Sequence, residues 1–343
     1  MRSQDRKSDP RMHTDLIVSV IVVTLNERQH IPRLADALRN QNLPPGVALE
    51  TILVDGGSSD GTPEEAERCG FSRVIALPGA SIPKCRNAGL AAAAGEWIGF
   101  LDGDCEPASD WILTAAPYLQ GNEPVMVGWP AEPPLLRTWV QEAWHLHWRT
   151  KGTLRRKDPE PFRLITTRNM LFNRAALHLI GDFDEDLPTG EDTHFALRAW
   201  AAGVHLIPLP QLRVIHHGEP ATLKDFFRQQ LWHANRRAYR KIVRATRLRH
   251  GGHAPLYAAI FVAALVMVPV GALCAFLAGR PLWMLVALVP LLSAALLPAV
   301  LTSLRARRPV MLIPLTVIYA AYGTARALDL LGFARSKRSW KTR

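Results

Sequence analysis

Two aspartates separated by one glycine, Asp102-Gly103-Asp104, close the apolar run Trp97-Ile98-Gly99-Phe100-Leu101. Carboxylates one residue apart on a turn can approach a single divalent cation, directly or through water. Hard oxygen donors suit Mg²⁺ or Mn²⁺, and such ions also accept substrate phosphates as ligands. The same pair can equally be a solvated turn. A second acidic pair, Glu191-Asp192, opens a segment with helical spacing at Phe195, Leu197 and Trp200. Carboxylates there can simply cap the helix and complement its dipole. They can also supply a general base, if one reaches an acceptor hydroxyl within roughly 2.6–3.2 Å. A third cluster runs from Asp55 to Gly61. It is neither a lysine-bearing phosphate loop nor a dinucleotide fingerprint. It reads as a capped strand-to-helix loop, or as an aspartate that accepts hydrogen bonds from a nucleobase or ribose.

Short buried β runs are expected at Ser19–Thr24, Thr51–Val54, Arg73–Leu77 and Trp97–Leu101,. A helical pattern through Leu34 and Leu38 follows the first, and a glutamate- and alanine-rich helix follows the second. A helix over Pro83–Ala94, with proline in its first turn, follows the third,. Strands alternating with helices imply an α/β fold with a mostly parallel sheet covered on both faces. Ligands of such sheets bind outside the carboxyl ends of the strands. Thr24-Asn26-Glu27, Asp55 to Asp60 and Asp102-Asp104 all fall at those ends.

The remainder of the 343-residue chain has a different character. No charged residue occurs from Ala254 to Gly279, nor from Pro281 to Leu304. Each run is long enough to cross a bilayer core. The net charge of +11 is concentrated just before them, at Arg236, Arg237, Arg240, Lys241, Arg244, Arg247 and Arg249, and again at the end of the chain. A basic collar on anionic lipid explains this placement better than nucleic-acid binding does. By the same bias the first 253 residues are expected to be cytoplasmic,. Val310 to Tyr322 is also apolar, but Arg326 and Asp329 follow closely. A third span would put the basic tail outside, so two spans and a third interfacial or re-entrant segment are expected, with a true third span as the alternative. The polar start does not read as a signal peptide. Cys69, Cys85, Cys105 and Cys274 show neither disulfide nor zinc spacing,.

The segments "VIVVTLNE", "ILVDGGSSDGT", "KCRNAGLAAAAGEWIGFLDGDC" and "PTGEDTHFALRAWAAG" occur in that order over about residues 17 to 240. Together they resemble the family 2 glycosyltransferases, in particular the membrane-associated branch that assembles polysaccharides or glycolipids. The resemblance implies a GT-A (Rossmann-like) nucleotide-sugar domain over 17–235, after a polar tail at 1–16. A basic juxtamembrane segment at 236–253, membrane helices at 254–333 and a basic tail at 334–343 would follow.

The resemblance also implies site roles. Thr24, Asn26, Glu27, Asp55, Lys84, Arg86 and Asp102 correspond to nucleotide-binding positions. Asp104 and Asp102 correspond to the metal-binding pair, and His216, in "VIHHGEP", to a histidine near the metal or diphosphate. Asp192 corresponds to the general base, with Glu191 as runner-up. Processive relatives carry Gln-x-x-Arg-Trp after the base. Here that region reads "DFFRQQLWHANRRAYR", leaving Gln229, Gln230, Trp232 and Arg236 as acceptor-site candidates. The expected partners are a nucleotide-diphosphate sugar, a divalent cation, the membrane and a lipid-linked or polysaccharide acceptor, with no nucleic acid. A membrane-tethered binding or scaffold protein without catalysis is the competing class.

Overall fold

The computed structural model describes residues 16–119, 121–152, 161–233, 240–241, 253–280 and 282–332. Arg236, the other arginines of the collar apart from Arg240, and both polar tails lie outside the described residues. A seven-stranded sheet has the order β3-β2-β1-β4-β7-β6-β8. Strands β1 (Leu16–Thr24), β2 (Val47–Asp55), β3 (Arg73–Ala76) and β4 (Trp97–Asp102) are mutually parallel. Strand β7 (Met170–Asn173) runs antiparallel to β4 and to β6 (Val125–Gly128), and β8 (His205–Pro208) is parallel to β6. The fold is therefore α/β with a parallel-dominated, Rossmann-like sheet.

The strands are apolar on both faces because both faces are covered. Alternate residues point to opposite sides of a strand, and the core divides accordingly. Ile21, Ile52, Ile98 and Phe172 face one layer, with α3 (Ile82–Ala92), α6 (Arg174–Ile180) and α7 (Glu191–Ala201) against it. Val20, Leu53, Trp97 and Leu171 face the other, beneath α1 (Ile31–Arg39), α2 (Thr62–Arg68) and α4 (Trp111–Leu119). A two-stranded ladder stands beside the sheet. It pairs β5 (Cys105–Pro107) antiparallel with β9 (Val214–His216), with Cys105 opposite His216.

Three apolar helices follow, His253–Leu277, Leu282–Ala306 and Leu312–Leu330. All three are long and apolar enough to cross a membrane. The chain is a multi-pass membrane protein by this criterion. The third helix differs in being far more buried. Its Leu315, Ile318 and Tyr319 pack with Val140, Trp144 and Leu146 of α5 (Trp139–Gly152) and Phe226 of α8 (Leu223–His233). It is thus shared between the apolar helices and the α/β domain, and the charged residues at its far end face protein: Arg326 and Asp329 are both buried.

Candidate active site

The carboxyl ends of β1, β2 and β4 form one edge. Register places Thr24 beside Asp55 and Val23 beside Asp102. Asp55 is buried, and its carboxylate folds the loop that follows it. Oδ2 accepts the Gly57 and Ser58 backbone N–H groups at 2.8 Å, and Oδ1 accepts the hydroxyls of Ser58 and Thr24. Its acceptor capacity is taken up locally. Asn26 has a left-handed backbone, φ 58°. Its N–H donates to Ser58 Oγ, and its Oδ1 accepts the Ser59 N–H. The Glu27 N–H donates to Thr62 Oγ1. These bonds tie the loops after β1 and β2 into one rigid wall.

Gly103 crosses that wall closely: a Cβ there would stand 2.7 Å from Thr24 Cγ2. This approach requires glycine between the two aspartates. Asp104 turns inward and is buried, whereas the Asp102 side chain is about one-third exposed. The β5–β9 ladder brings His216 to Asp104, with Nε2 3.1 Å from Oδ1. On the other side of the ring, Nδ1 lies 3.2 Å from Glu219 Oε1. Arg168 Nη1 reaches the same Glu219 oxygen at 2.5 Å.

Burial would lower the His216 pKa, but the charge and hydrogen bond of Asp104, with the hydrogen bond of Glu219, raise it to about 10. Burial would raise that of Glu219, but Arg168 and His216 hold it at about 2. Gly218 lies against the same carboxylate, since a Cβ on it would meet Asp104 Oδ2 at 1.9 Å.

Asp104, Cys105 and His216 present ligand-type atoms within 4.8 Å of one another. Cys105 suits a hard cation poorly. Its thiol is pushed well up by burial and donates to the Arg168 carbonyl. The aspartates and His216 offer oxygen and nitrogen, donors compatible with Mn²⁺ or Mg²⁺. The donor set therefore fits a divalent cation.

Arg86, on α3, links this turn to α7. It is buried, pairs with Glu191, and lies 3.7 Å from Asp102 Oδ1. Phe183 stacks beneath its guanidinium at 5.5 Å. Lys84, two residues earlier, is exposed. Glu191 is buried and Asp192 partly exposed. Asp192 Oδ1 accepts the Thr193 N–H at 2.6 Å; among the described residues, Oδ2 has no hydrogen-bond partner. Burial lifts the Glu191 carboxyl against the pull of Arg86, to about 7. A carboxyl raised in the folded state stabilises below its unfolded pKa and loses that contribution as pH rises through the folded value. Stability is therefore expected to fall from about pH 4.5 to about pH 7 through this group. Glu191→Gln is expected to flatten that interval of a melting-temperature profile; an unchanged slope would assign the titration elsewhere.

The candidate acceptor residues are placed less uniformly. Gln230 is buried, and its Oε1 accepts from Arg326 of the third apolar helix at 3.0 Å. It joins two helices and is turned away from solvent. Gln229 and Trp232 are partly exposed. The sequence reading missed Arg168, Glu219 and Gly218 as site residues. The one local signal was the spacing of His216 and Glu219, three apart across a glycine.

The family model "Glycosyl transferase family 2" matches residues 19–181, and "Glycosyl transferase family group 2" matches residues 118–318. The chain belongs to the family 2 glycosyltransferases. Glycosyltransferase AglE of Haloferax volcanii is 26% identical over 66% of this chain and 77% of its own length. The uncharacterized glycosyltransferase EpsJ of Bacillus subtilis is 30% identical over 61% of this chain and 63% of its own. Among solved structures, the mannosyltransferase PcManGT from Pyrobaculum calidifontis, in complex with GDP-Man and Mn²⁺, superposes with a TM-score of 0.56 at 20% identity. That match covers 95% of this chain and 90% of the other. The protein is accordingly a glycosyltransferase of GT-A fold.

Proposed function

We propose that this glycosyltransferase moves a sugar, with inversion, from a nucleotide-diphosphate sugar to a lipid-linked acceptor at the cytoplasmic face of the cell membrane. The product would serve cell-envelope polysaccharide or glycolipid synthesis. One observation carries the reading: Arg86 ties Asp102, on the acidic turn, to Glu191, whose neighbour Asp192 has one carboxylate oxygen without a hydrogen-bond partner among the described residues. A leaving-group site and a candidate base are thereby held on one strut.

In this mechanism Asp192 takes the proton from the acceptor hydroxyl. The freed oxygen pair bonds to the anomeric carbon as the bond from that carbon to the diphosphate oxygen breaks. The nucleoside diphosphate leaves with that electron pair. Asp104, Asp102 and His216 would hold a divalent cation, which when bound would neutralise charge on the diphosphate. Glu219 and Arg168 orient His216 from behind, as outer partners of metal ligands commonly do. Glu191 keeps Arg86 in place. Lys84 is the exposed member of the basic pair and is available to phosphate. Thr24, Asn26, Glu27 and Asp55 shape the nucleotide wall through their hydrogen-bonded loops. The three apolar helices beside α5 and α8 support an acceptor that arrives from the membrane.

The test is a panel of labelled nucleotide sugars given to the full-length protein in membranes containing polyprenyl phosphate. Label is expected in an organic-extractable product, with stoichiometric release of nucleoside diphosphate and inverted anomeric configuration. A protein that binds donors but releases no diphosphate from any of them would be a scaffold.

A further inference from the structure

Leu135 and Leu136 sit in the loop between β6 and α5, with 89% and 97% of their surfaces exposed. Trp139, at the start of α5, is 47% exposed. The base of this loop is firmly held. Thr138 Oγ1 donates to the Ala221 carbonyl at 2.8 Å, and Gln141 Nε2 donates to the Glu219 carbonyl at 2.9 Å. The loop presents its leucines outward while its root is fastened beside the His216 cluster.

The loop also lies next to the apolar helices. Glu142, one turn after Trp139, accepts from Arg308 Nη1 at 2.7 Å and pairs with Arg137. Arg308 is in the turn joining the second and third apolar helices. On either side of that turn, Leu304, Val310 and Ile313 are themselves mostly exposed. The loop that carries the two leucines is thus tied, through Glu142, to a turn flanked by exposed apolar side chains of membrane-type helices, with Arg137 and Arg308 at the junction. Exposed apolar side chains flanked by basic ones suit the boundary between acyl chains and anionic headgroups.

We propose that the Leu135–Leu136 tip inserts into that boundary of the bilayer and fixes the height of the active site above the membrane. This inference rests on the loop and the apolar helices, independently of the transfer reaction assigned above. Its consequence for that reaction is positional. The inserted tip hangs from the same segment, Glu219 to Ala221, that backs His216, so the membrane surface and the donor site are joined by a few covalent and hydrogen bonds.

The experiment uses the full chain in nanodiscs of phosphatidylcholine and phosphatidylglycerol. Cys69→Ser and Cys274→Ser remove the two cysteines that are not buried. Leu136→Cys then carries an environment-sensitive fluorophore. Leu179→Cys, on α6 and 52% exposed, is the water-facing control. Position 136 is expected to be quenched severalfold more than 179 by lipid bearing a nitroxide high on its acyl chain, and severalfold less by aqueous iodide. Equal iodide quenching at the two positions, without nitroxide quenching at 136, would place the loop in water and overturn the proposal. Protection from both quenchers would mean that protein, such as a second copy, covers the tip, and would overturn it as well. Since both readouts are optical, neither depends on which sugar or acceptor the enzyme uses.

Discussion

Asp192→Asn is expected to slow sugar transfer by about 10²–10⁴-fold, the range that a positioned general base contributes, with donor affinity near that of the wild type. Asparagine keeps the size of the side chain and can still accept the Thr193 N–H that Asp192 Oδ1 accepts now. It cannot take a proton. The lost charge at the first turn of α7 weakens the dipole interaction by only about 0.3–1 kcal/mol, so the fold should remain intact. Glu191→Gln provides the contrast. Its partner Arg86 is buried, but with the Glu191 carboxyl raised to about 7 a neutral amide can still accept from that guanidinium. That variant should therefore keep most of its stability and a transfer rate far closer to the wild type. Single-turnover rates with calorimetric donor binding separate the two positions. Transfer by Asp192→Asn at the wild-type rate would remove Asp192 from the role of base.

The contrast between these neighbours shows what was legible in the chain. Both carboxylates could be read as candidates from their place at a helix start. Which one is spent on structure depends on Arg86, 105 positions earlier than Glu191, and no local pattern reports such a pairing. The same limit applies to Asp55. A strand-end aspartate before glycines and serines reads equally as a ligand for a nucleotide or as a loop builder. The structure shows how fully its oxygens are used within the loop.

The parallel strands were legible because they are buried on both sides and read as continuous apolar runs. Their first residues were harder to see. Strand β2 begins at Val47, yet its opening residues through Thr51 are only half-buried, so apolar continuity starts at Ile52. The antiparallel direction of β7 had no local signature, since "MLFN" is apolar in either direction. Least visible was the three-residue ladder of β5 and β9, which is too short for periodicity. That ladder nevertheless puts His216 beside Asp104, and so assembles the candidate cation site.

Asp104→Asn tests that site, and the expected result is loss of the cation-dependent part of nucleoside-diphosphate binding. In the wild type, Mn²⁺ is expected to tighten binding at least tenfold, the equivalent of about 1.4 kcal/mol. The variant should bind as the wild type does without the ion, and a full Mn²⁺ response in the variant would sink the ligand assignment. The substitution has a second effect with a defined sign. His216 is raised from 6.5 to about 10, with burial opposing and Asp104 the leading cause of the rise. A histidine raised in the folded state contributes stability in full below its unfolded pKa and loses it as pH climbs through the folded value. In cation-free protein, Asp104→Asn should therefore lower the melting temperature most near pH 6 and progressively less toward pH 10. His216→Gln removes the titrating group itself, so adding Asp104→Asn to it should shift the melting temperature by an amount that no longer varies over that interval. A pH-dependent penalty that survived in the double variant would arise from another group, and Asp104 would then hold the cation without governing the charge of His216.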